Sequence, residues 1–199
     1  MLPVDLLVEG SLDAAVCRRV LKALEIPVGT EYGFRGWHYV ASKVSMFASS
    51  GSPLLALVDL MDTQLPFPPA VVSHWLDTSN SLCVFRVAVR EIESWLLADR
   101  HQFSNFFGVT LAKVPQQPDY IEDPKLTLVN LCRRSRHPSI RLGIPPRTGL
   151  AVSEGPSYTP LLSAYVNDAW RPEVAAESSP SLRKMLLRVN ELRQRIVLA

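Results

Sequence analysis

Three short apolar runs predict the buried strands of a sheet. They are residues 4–8 (VDLLV), 53–58 (PLLALV) and 82–89 (LCVFRVAV), each nearly continuous in apolar side chains. Continuous runs of this length are typical of strands that are buried on both faces, as in parallel sheets. The aromatic, glycine-bearing segment 30–40 fits either a further short strand or a loop.

Between and after these runs, apolar residues recur at helical spacing. Leu12, Val16, Val20 and Leu24 predict a helix that Ser11 caps. Asp123 followed by Pro124 is typical of an N-cap and first helical position. Further helices are expected over 41–49, 70–77, 157–169 and 180–196, and from Arg90 onward, where Ile92, Trp95, Leu96 and Asp99 share one helical face.

Strands alternating with helices, followed by a helical tail, predict an α/β fold with a mainly parallel sheet flanked by helices. We expect an α/β core over residues 1–110 and a helical extension over 111–199 that packs on it. The irregular segment 137–156, rich in proline and glycine, is expected to reach the active site.

Carboxylates follow each of the three apolar runs. Glu9 follows the first, Asp59 and Asp62 the second, and Glu91 and Glu93 the third. The carboxyl ends of parallel strands open onto one crevice, where such folds bind ligands. Carboxylates that converge there repel one another unless cations lie among them, and oxygen ligands favour Mg²⁺ or Mn²⁺. Asp13, four residues after Glu9, is expected to face the same crevice. Together these carboxylates suggest a metal-dependent phosphate enzyme.

Each of these acids also has a purely structural interpretation. Asp13 suits the first turn of a helix, where a negative charge complements the dipole. Asp62 suits a turn that ends a strand. Glu91 and Glu93 suit a helix start, and Arg90 would pair with one of them.

Composition and charge narrow the class of protein. The chain has 199 residues and a net charge of +2, too small to identify a polyanion partner. The densest basic stretch includes Arg133, Arg134 and Arg136, which with Arg90 are candidate nucleic-acid contacts; the alternative for the stretch is a solvated helix end. Three scattered cysteines predict reduced thiols. Every apolar run is too short to suggest a membrane span, so we expect a cytoplasmic protein.

Taken together, these residues resemble a Toprim domain. The resemblance is carried by Glu9-x-x-x-Asp13, Asp59 with Asp62, Glu91-x-Glu93 and a later lysine, and by the phrases LLVEGSLDAAV, REIESWLLAD, IEDPKLTL and SPSLRKMLLRV. It is closest to the Toprim nucleases of the OLD (overcoming lysogenization defect) type and their small stand-alone relatives. Many of these are encoded beside ATPases and linked to phage or plasmid defence.

The resemblance implies a Toprim-like, Rossmann-like fold and two Mg²⁺ or Mn²⁺ ions. Glu9 and Asp59 would hold one ion, and Asp13, Glu91 and Glu93 would help to hold the second. Glu9 would also relay a proton, and Lys125 would steady charge at the scissile phosphate. The chain departs from the usual Asp-x-Asp of this family, because Met61 occupies the second position and the acid follows at Asp62.

The function that the resemblance implies is a Mg²⁺-dependent nuclease, a hydrolase that cleaves DNA or RNA by a two-metal mechanism. It would act as the effector of an antiviral defence pair with an ATPase. Two alternatives stay open. One is nucleotidyl transfer at the same kind of site, and the other is a non-catalytic regulatory or binding subunit whose altered Asp-x-Asp no longer holds two metals.

Overall fold

The computed structural model describes residues 1–77, 80–147, 149 and 151–198. The chain forms two compact units, the first built from residues 1–89 and 181–199 and the second from residues 90–180. The division of the chain near residue 110 that the sequence suggests remains a prediction.

A parallel four-stranded sheet forms the centre of the first unit. Its strands are β1 (Val4–Val8), β2 (Val28–Gly33), β3 (Leu54–Asp59) and β4 (Cys83–Ala88), in the order β2-β1-β3-β4. The three apolar runs are therefore strands, and the open segment near residue 30 supplies the fourth. This confirms the predicted α/β class with a parallel sheet, an arrangement consistent with a Rossmann-like fold.

The register of the sheet aligns the ends of β1 and β3. Val8 lies opposite Leu57, and Asp59 lies opposite Ala88. Glu9 follows β1 directly and Asp59 is the last residue of β3, so both stand at the carboxyl edge of the sheet.

Helices of the first unit flank this sheet. They are α1 (Ser11–Ala23), α2 (Trp37–Ala48), α3 (Pro68–Trp75) and, near the end of the chain, α10 (Pro180–Leu198). One core cluster joins apolar side chains of the strands to α2 and α3 and includes Leu7, Ala56, Phe85, Val44 and Trp75. A 3-10 turn, Leu60–Thr63, follows β3.

The start of α1 differs from the prediction in one residue. Ser11 is already helical, and the N-cap is Gly10, whose backbone N–H donates to Asp13 Oδ2 at 3.0 Å. The prediction of Ser11 as the cap was wrong. The Asp13 carboxylate reaches back to the start of the helix and accepts the hydrogen bond from the Gly10 N–H.

The second unit is helical. It contains α4 (Glu93–Ala98), α5 (Arg100–Phe107), α6 (Pro124–Cys132), α7 (Pro138–Gly143), α8 (Tyr158–Asp168) and α9 (Pro172–Ser178). Short 3-10 turns cover Leu111–Lys113 and Pro118–Tyr120. The predicted N-cap of α6 is confirmed, since Asp123 Oδ1 accepts from the Leu126 N–H at 2.7 Å.

The helical pattern predicted from Arg90 is interrupted at Asp99, which separates α4 from α5. Asp99 is 1% exposed and accepts from Arg171 Nε at 2.9 Å and Arg171 Nη2 at 2.8 Å. Trp170 donates its indole N–H to the Trp95 carbonyl, and both rings are buried. Asp99 and the two tryptophans thus have structural roles in the core of this unit.

Among the helices of the described residues, none combines the length and the apolar character that crossing a membrane would require.

Candidate metal and nucleic-acid sites

Four of the predicted acids come together in the first unit, and we call them the Glu9 group: Glu9, Asp13, Asp59 and Asp62. Glu9 Oε1 accepts from the Asp59 backbone N–H at 2.8 Å, which ties the end of β1 to the end of β3. The Asp13 and Asp62 carboxylates lie near enough to Glu9 to raise its pKa. The sheet register produces this arrangement, because β1 and β3 are direct neighbours.

The Glu9 carboxyl holds its proton unusually well. Burial is the main cause and the Asp13 and Asp62 carboxylates add to it, against the Asp59 hydrogen bond, and together they raise the pKa of Glu9 to about 8. Carboxylates this close together do not all ionise readily unless a proton or a cation is shared among them. A divalent cation would supply that charge, so the oxygen donors of this group fit Mg²⁺ or Mn²⁺ chemically.

The departure at Met61 has a local structural explanation. The chain after Asp59 turns into the 3-10 helix Leu60–Thr63. Met61 and Asp62 are both exposed in that turn, and Asp62 lies near enough to the Glu9 carboxyl to raise its pKa. An acid placed one residue later than in Asp-x-Asp therefore still joins the group.

A second group forms within the second unit, and we call it the Glu91 group: Glu91, Glu93, Lys125, Glu154 and Tyr158. Glu91 Oε2 accepts from the Lys125 backbone N–H at 3.0 Å. Glu93, at the start of α4, is 3% exposed, and its Oε1 accepts from the Tyr158 hydroxyl at 2.5 Å. Lys125 Nζ lies 3.4 Å from Glu154 Oε2 and 5.4 Å from the centroid of the Tyr158 ring.

The charges of the Glu91 group are strongly coupled. Burial, with the nearby Glu93 carboxylate, raises the pKa of Glu91 to about 7 against the effect of Lys125. Burial alone would lower the pKa of Lys125, but Glu93, Glu154 and Glu91 outweigh it and the net shift is upward. Lys125 is therefore a firmly charged ammonium among three carboxylates, at the first turn of α6.

Sequence reasoning missed two members of this group, Glu154 and Tyr158. Glu154 lies in the segment 137–156, which we expected to be irregular and to reach the active site and which in fact contains α7, yet no motif singled Glu154 out. Burial first, and then the Glu93 carboxylate, raise the pKa of the Tyr158 hydroxyl far above its ordinary range, so it acts as a donor to Glu93. The only signal for either residue was proximity to the predicted irregular segment.

The fit to a metal is chemical in both groups. Within either unit, the described residues include no set of three His, Cys, Asp or Glu side chains already spaced to enclose an ion. Oxygen-only donors and neighbouring carboxylates nevertheless suit a hard divalent cation.

A basic cleft lies elsewhere in the second unit, between the turn after α5 and the end of α6. Its volume is about 670 Å³. The described residues that line it include no acid, and their polar side chains can all donate hydrogen bonds: Thr110, Lys113, Thr127, Asn130, Arg133 and Arg134. Arg133 and Arg134 are exposed. This arrangement suits a phosphate-bearing ligand.

The other two predicted nucleic-acid contacts lie outside the lining of this cleft. Arg136 is exposed and its backbone N–H donates to the Gly108 carbonyl at 2.9 Å. Arg90 is half-buried, and within the described part of the second unit it forms no ion pair with Glu91 or Glu93. The simple pairing that would have explained Arg90 as structural is therefore not formed.

Fold and site together define an α/β protein with two acid-rich groups and a basic cleft. Comparison with protein-family models, with curated proteins and with solved structures finds no match. The Toprim resemblance therefore remains a prediction from the residues themselves.

Proposed function

We propose that this protein is a Mg²⁺-dependent nuclease that hydrolyses phosphodiester bonds of DNA or RNA by a two-metal mechanism. The observation that supports it most strongly is the convergence of the Glu9, Asp13 and Asp62 carboxylates at a strand end, where Asp13 is buried, Glu9 is half-buried and Asp62 is exposed. Such a cluster of carboxylates favours either a shared proton or a bound cation. The strand ends of an open parallel sheet are also the usual place for a ligand.

The residues have distinct roles in this proposal. Glu9, Asp13, Asp59 and Asp62 would hold one cation, and Glu91 and Glu93 would contribute to holding a second. The ions, when bound, would supply activation of the attacking water and stabilisation of the leaving oxygen. Glu9 would relay the proton of the water. Lys125 would present its ammonium to the charge that develops on the phosphoryl oxygens.

The basic cleft would bind the nucleic-acid backbone. Lys113, Arg133 and Arg134 form no ion pair within the described residues, so their charges are available to phosphates. Such contacts do not depend on base sequence. Pairing with an ATPase and a role in phage defence rest on the Toprim resemblance alone, and the nuclease proposal does not require them.

The decisive experiment is cleavage of plasmid DNA and of transfer RNA by the purified full chain in Mg²⁺, Mn²⁺ or EDTA. Cleavage should require the metal. Glu9→Gln should lower the rate by about 10²-fold or more, as expected for a lost general base. Lys125→Met should lower it by about 10²- to 10³-fold, as for a lost electrostatic contact in the transition state.

Glu25→Gln is the matched control, because Glu25 is in the same unit as Glu9 and its side chain is 84% exposed. It removes one carboxylate without touching either group and should keep the full rate. Calorimetric titration with Mn²⁺ should find two ions per chain, with weaker binding after Glu9→Gln. No cleavage of either substrate, together with no Mn²⁺ binding, would instead support the non-catalytic regulatory subunit.

A further inference from the structure

Arg86 is a charged residue of the first unit that belongs to neither the Glu9 group nor the Glu91 group. It lies on β4, the edge strand of the sheet, opposite Leu57. Side chains alternate along a strand, and Phe85 and Val87 point into the core cluster, so Arg86 points to the opposite face. Its Nε is buried and, among the described residues, has no hydrogen-bond partner.

The surroundings of Arg86 are unfavourable for a cation. Burial is the main cause that lowers the pKa of its guanidinium, and the nearby charge of Arg188 lowers it further. Within the described residues Arg86 has no acid partner. Keeping a partly buried charge beside a like charge costs free energy unless an anion compensates it.

Arg86 lines a pocket with two arginines of α10, and we call it the arginine pocket: Arg86, Arg188, Arg195, Glu191, Leu76 and Phe85. Among the described residues that line the pocket, Glu191 is the only acid. Its Oε2 lies 2.8 Å from Arg188 Nη1 and 4.0 Å from Arg195 Nη2. Arg195 Nη1 also donates to the Ser81 carbonyl at 2.8 Å. The Glu191 carboxylate thus partly compensates the charges of Arg188 and Arg195. Among the described residues, no acid compensates the charge of Arg86.

The size of the pocket restricts its ligand. Its volume is about 250 Å³, below the roughly 300–1,000 Å³ of pockets that enclose drug-sized molecules. Part of the wall is apolar, at Leu76 and Phe85. The pocket therefore suits one small, strongly charged anionic group, and arginine is the side chain best matched to phosphate oxygens.

We propose that the arginine pocket binds a phosphate group, with Arg86 as the principal contact and Arg188 and Arg195 as supporting ones. The phosphate is either free inorganic phosphate or the terminal phosphate of a nucleotide or nucleic-acid strand. The site is distinct from the Glu9 group, because it opens beside the amino-terminal part of β4, near Asn80 and Cys83, whereas Glu9 follows the carboxyl end of β1. It does not depend on nuclease activity.

The test is calorimetric titration of the full chain with inorganic phosphate in EDTA, at an ionic strength held constant with chloride. Wild type should bind phosphate. Arg86→Met keeps an unbranched apolar stem and removes the charge, and should weaken binding by about tenfold or more. Glu191→Gln should tighten binding, because it frees Arg188 and Arg195 from their shared acid.

Lys184→Gln is the matched control, since Lys184 is exposed on the same helix and does not line the pocket. It changes the net charge as Arg86→Met does and should leave phosphate affinity unchanged. Equal weakening in Arg86→Met and Lys184→Gln, or no phosphate binding by wild type, would overturn the proposal. If Arg86→Met fails to fold, the Arg86 Nε resonance of wild type must shift with phosphate, and an unshifted resonance also overturns it.

Three further ligands separate the sources of the phosphate. They are a nucleoside 5′-monophosphate and one oligonucleotide with and without its 5′-phosphate. Tighter binding of the phosphorylated ligands than of inorganic phosphate would assign the pocket to a strand or nucleotide end. Tighter binding of inorganic phosphate would assign it to the free anion. Equal affinity of the two oligonucleotides, unaffected by Arg86→Met, would overturn a strand-end role.

Discussion

Burial and neighbouring carboxylates at Glu9 make the stability of the folded protein depend on pH. Its pKa rises from an ordinary 4.5 to about 8 in the folded protein, and the pKa of Glu91 rises to about 7. Between pH 4.5 and about 8, the folded protein therefore binds more protons at Glu9 than the unfolded chain does. By linkage, the stability from protonated Glu9 is fully present below pH 4.5 and is lost as the pH rises to about 8.

We expect the free energy of unfolding of the metal-free protein to fall as the pH rises from about 4.5 to about 8. Glu9→Gln should make that fall shallower, because glutamine stays neutral throughout. Urea unfolding in EDTA at several pH values measures it, with Glu122→Gln, an exposed acid, as the control. An unchanged slope in Glu9→Gln would show that Glu9 is ionised normally in the fold.

The residue scale is also where sequence reasoning reached its limit. The predicted acids of both groups could be identified because each follows the end of an apolar run, and that end is visible in the sequence. Glu154 and Tyr158 belong to the Glu91 group through contacts with Lys125 and Glu93 that join distant parts of the chain. No local pattern encodes a contact between residues 65 positions apart.

At the scale of elements, the predictions succeeded where one local signal dominated. Buried parallel strands leave continuous apolar runs, and Asp123-Pro124 marks the start of α6. β2 was left open because its residues are only partly buried and alternate little in polarity. α9 was not predicted, since it has only seven residues, too few to show a helical period.

The cap of α6 positions a candidate catalytic residue, since Lys125 is the second residue of that helix. Asp123→Ala removes the acceptor of the Leu126 N–H and should lower the free energy of unfolding by about 1 kcal/mol. Asp123→Asn keeps a capping oxygen and should lose much less. Thermal and urea unfolding measure both.

Glu122→Ala is the control for this helix start, because Glu122 is exposed and precedes the cap. It should change stability by less than about 0.5 kcal/mol. If Asp123→Ala and Glu122→Ala had equal effects, the hydrogen bond to Leu126 would contribute nothing to the helix. Loss of nuclease activity in Asp123→Ala beyond its loss of folded protein would show that the cap also places Lys125.

For the whole molecule, net charge and local charge make different predictions about nucleic acid. A net charge of +2 provides little general attraction. The basic cleft concentrates Lys113, Arg133 and Arg134 in one place without an acid in its lining. Binding that comes from the cleft should therefore depend on these three residues and not on cations elsewhere on the surface.

We expect affinity for an oligonucleotide in EDTA to fall as salt rises, with a slope set by the number of phosphates neutralised. Lys113→Gln, Arg133→Gln and Arg134→Gln should each make the slope shallower by about 0.9 for duplex DNA or about 0.7 for a single strand. Lys184→Gln, which removes the same charge outside the cleft, should leave it unchanged. Fluorescence anisotropy over a salt series measures these slopes. A similar reduction in all four variants would mean that diffuse charge, and not the cleft, binds the backbone, since only a local contact distinguishes one cation from another.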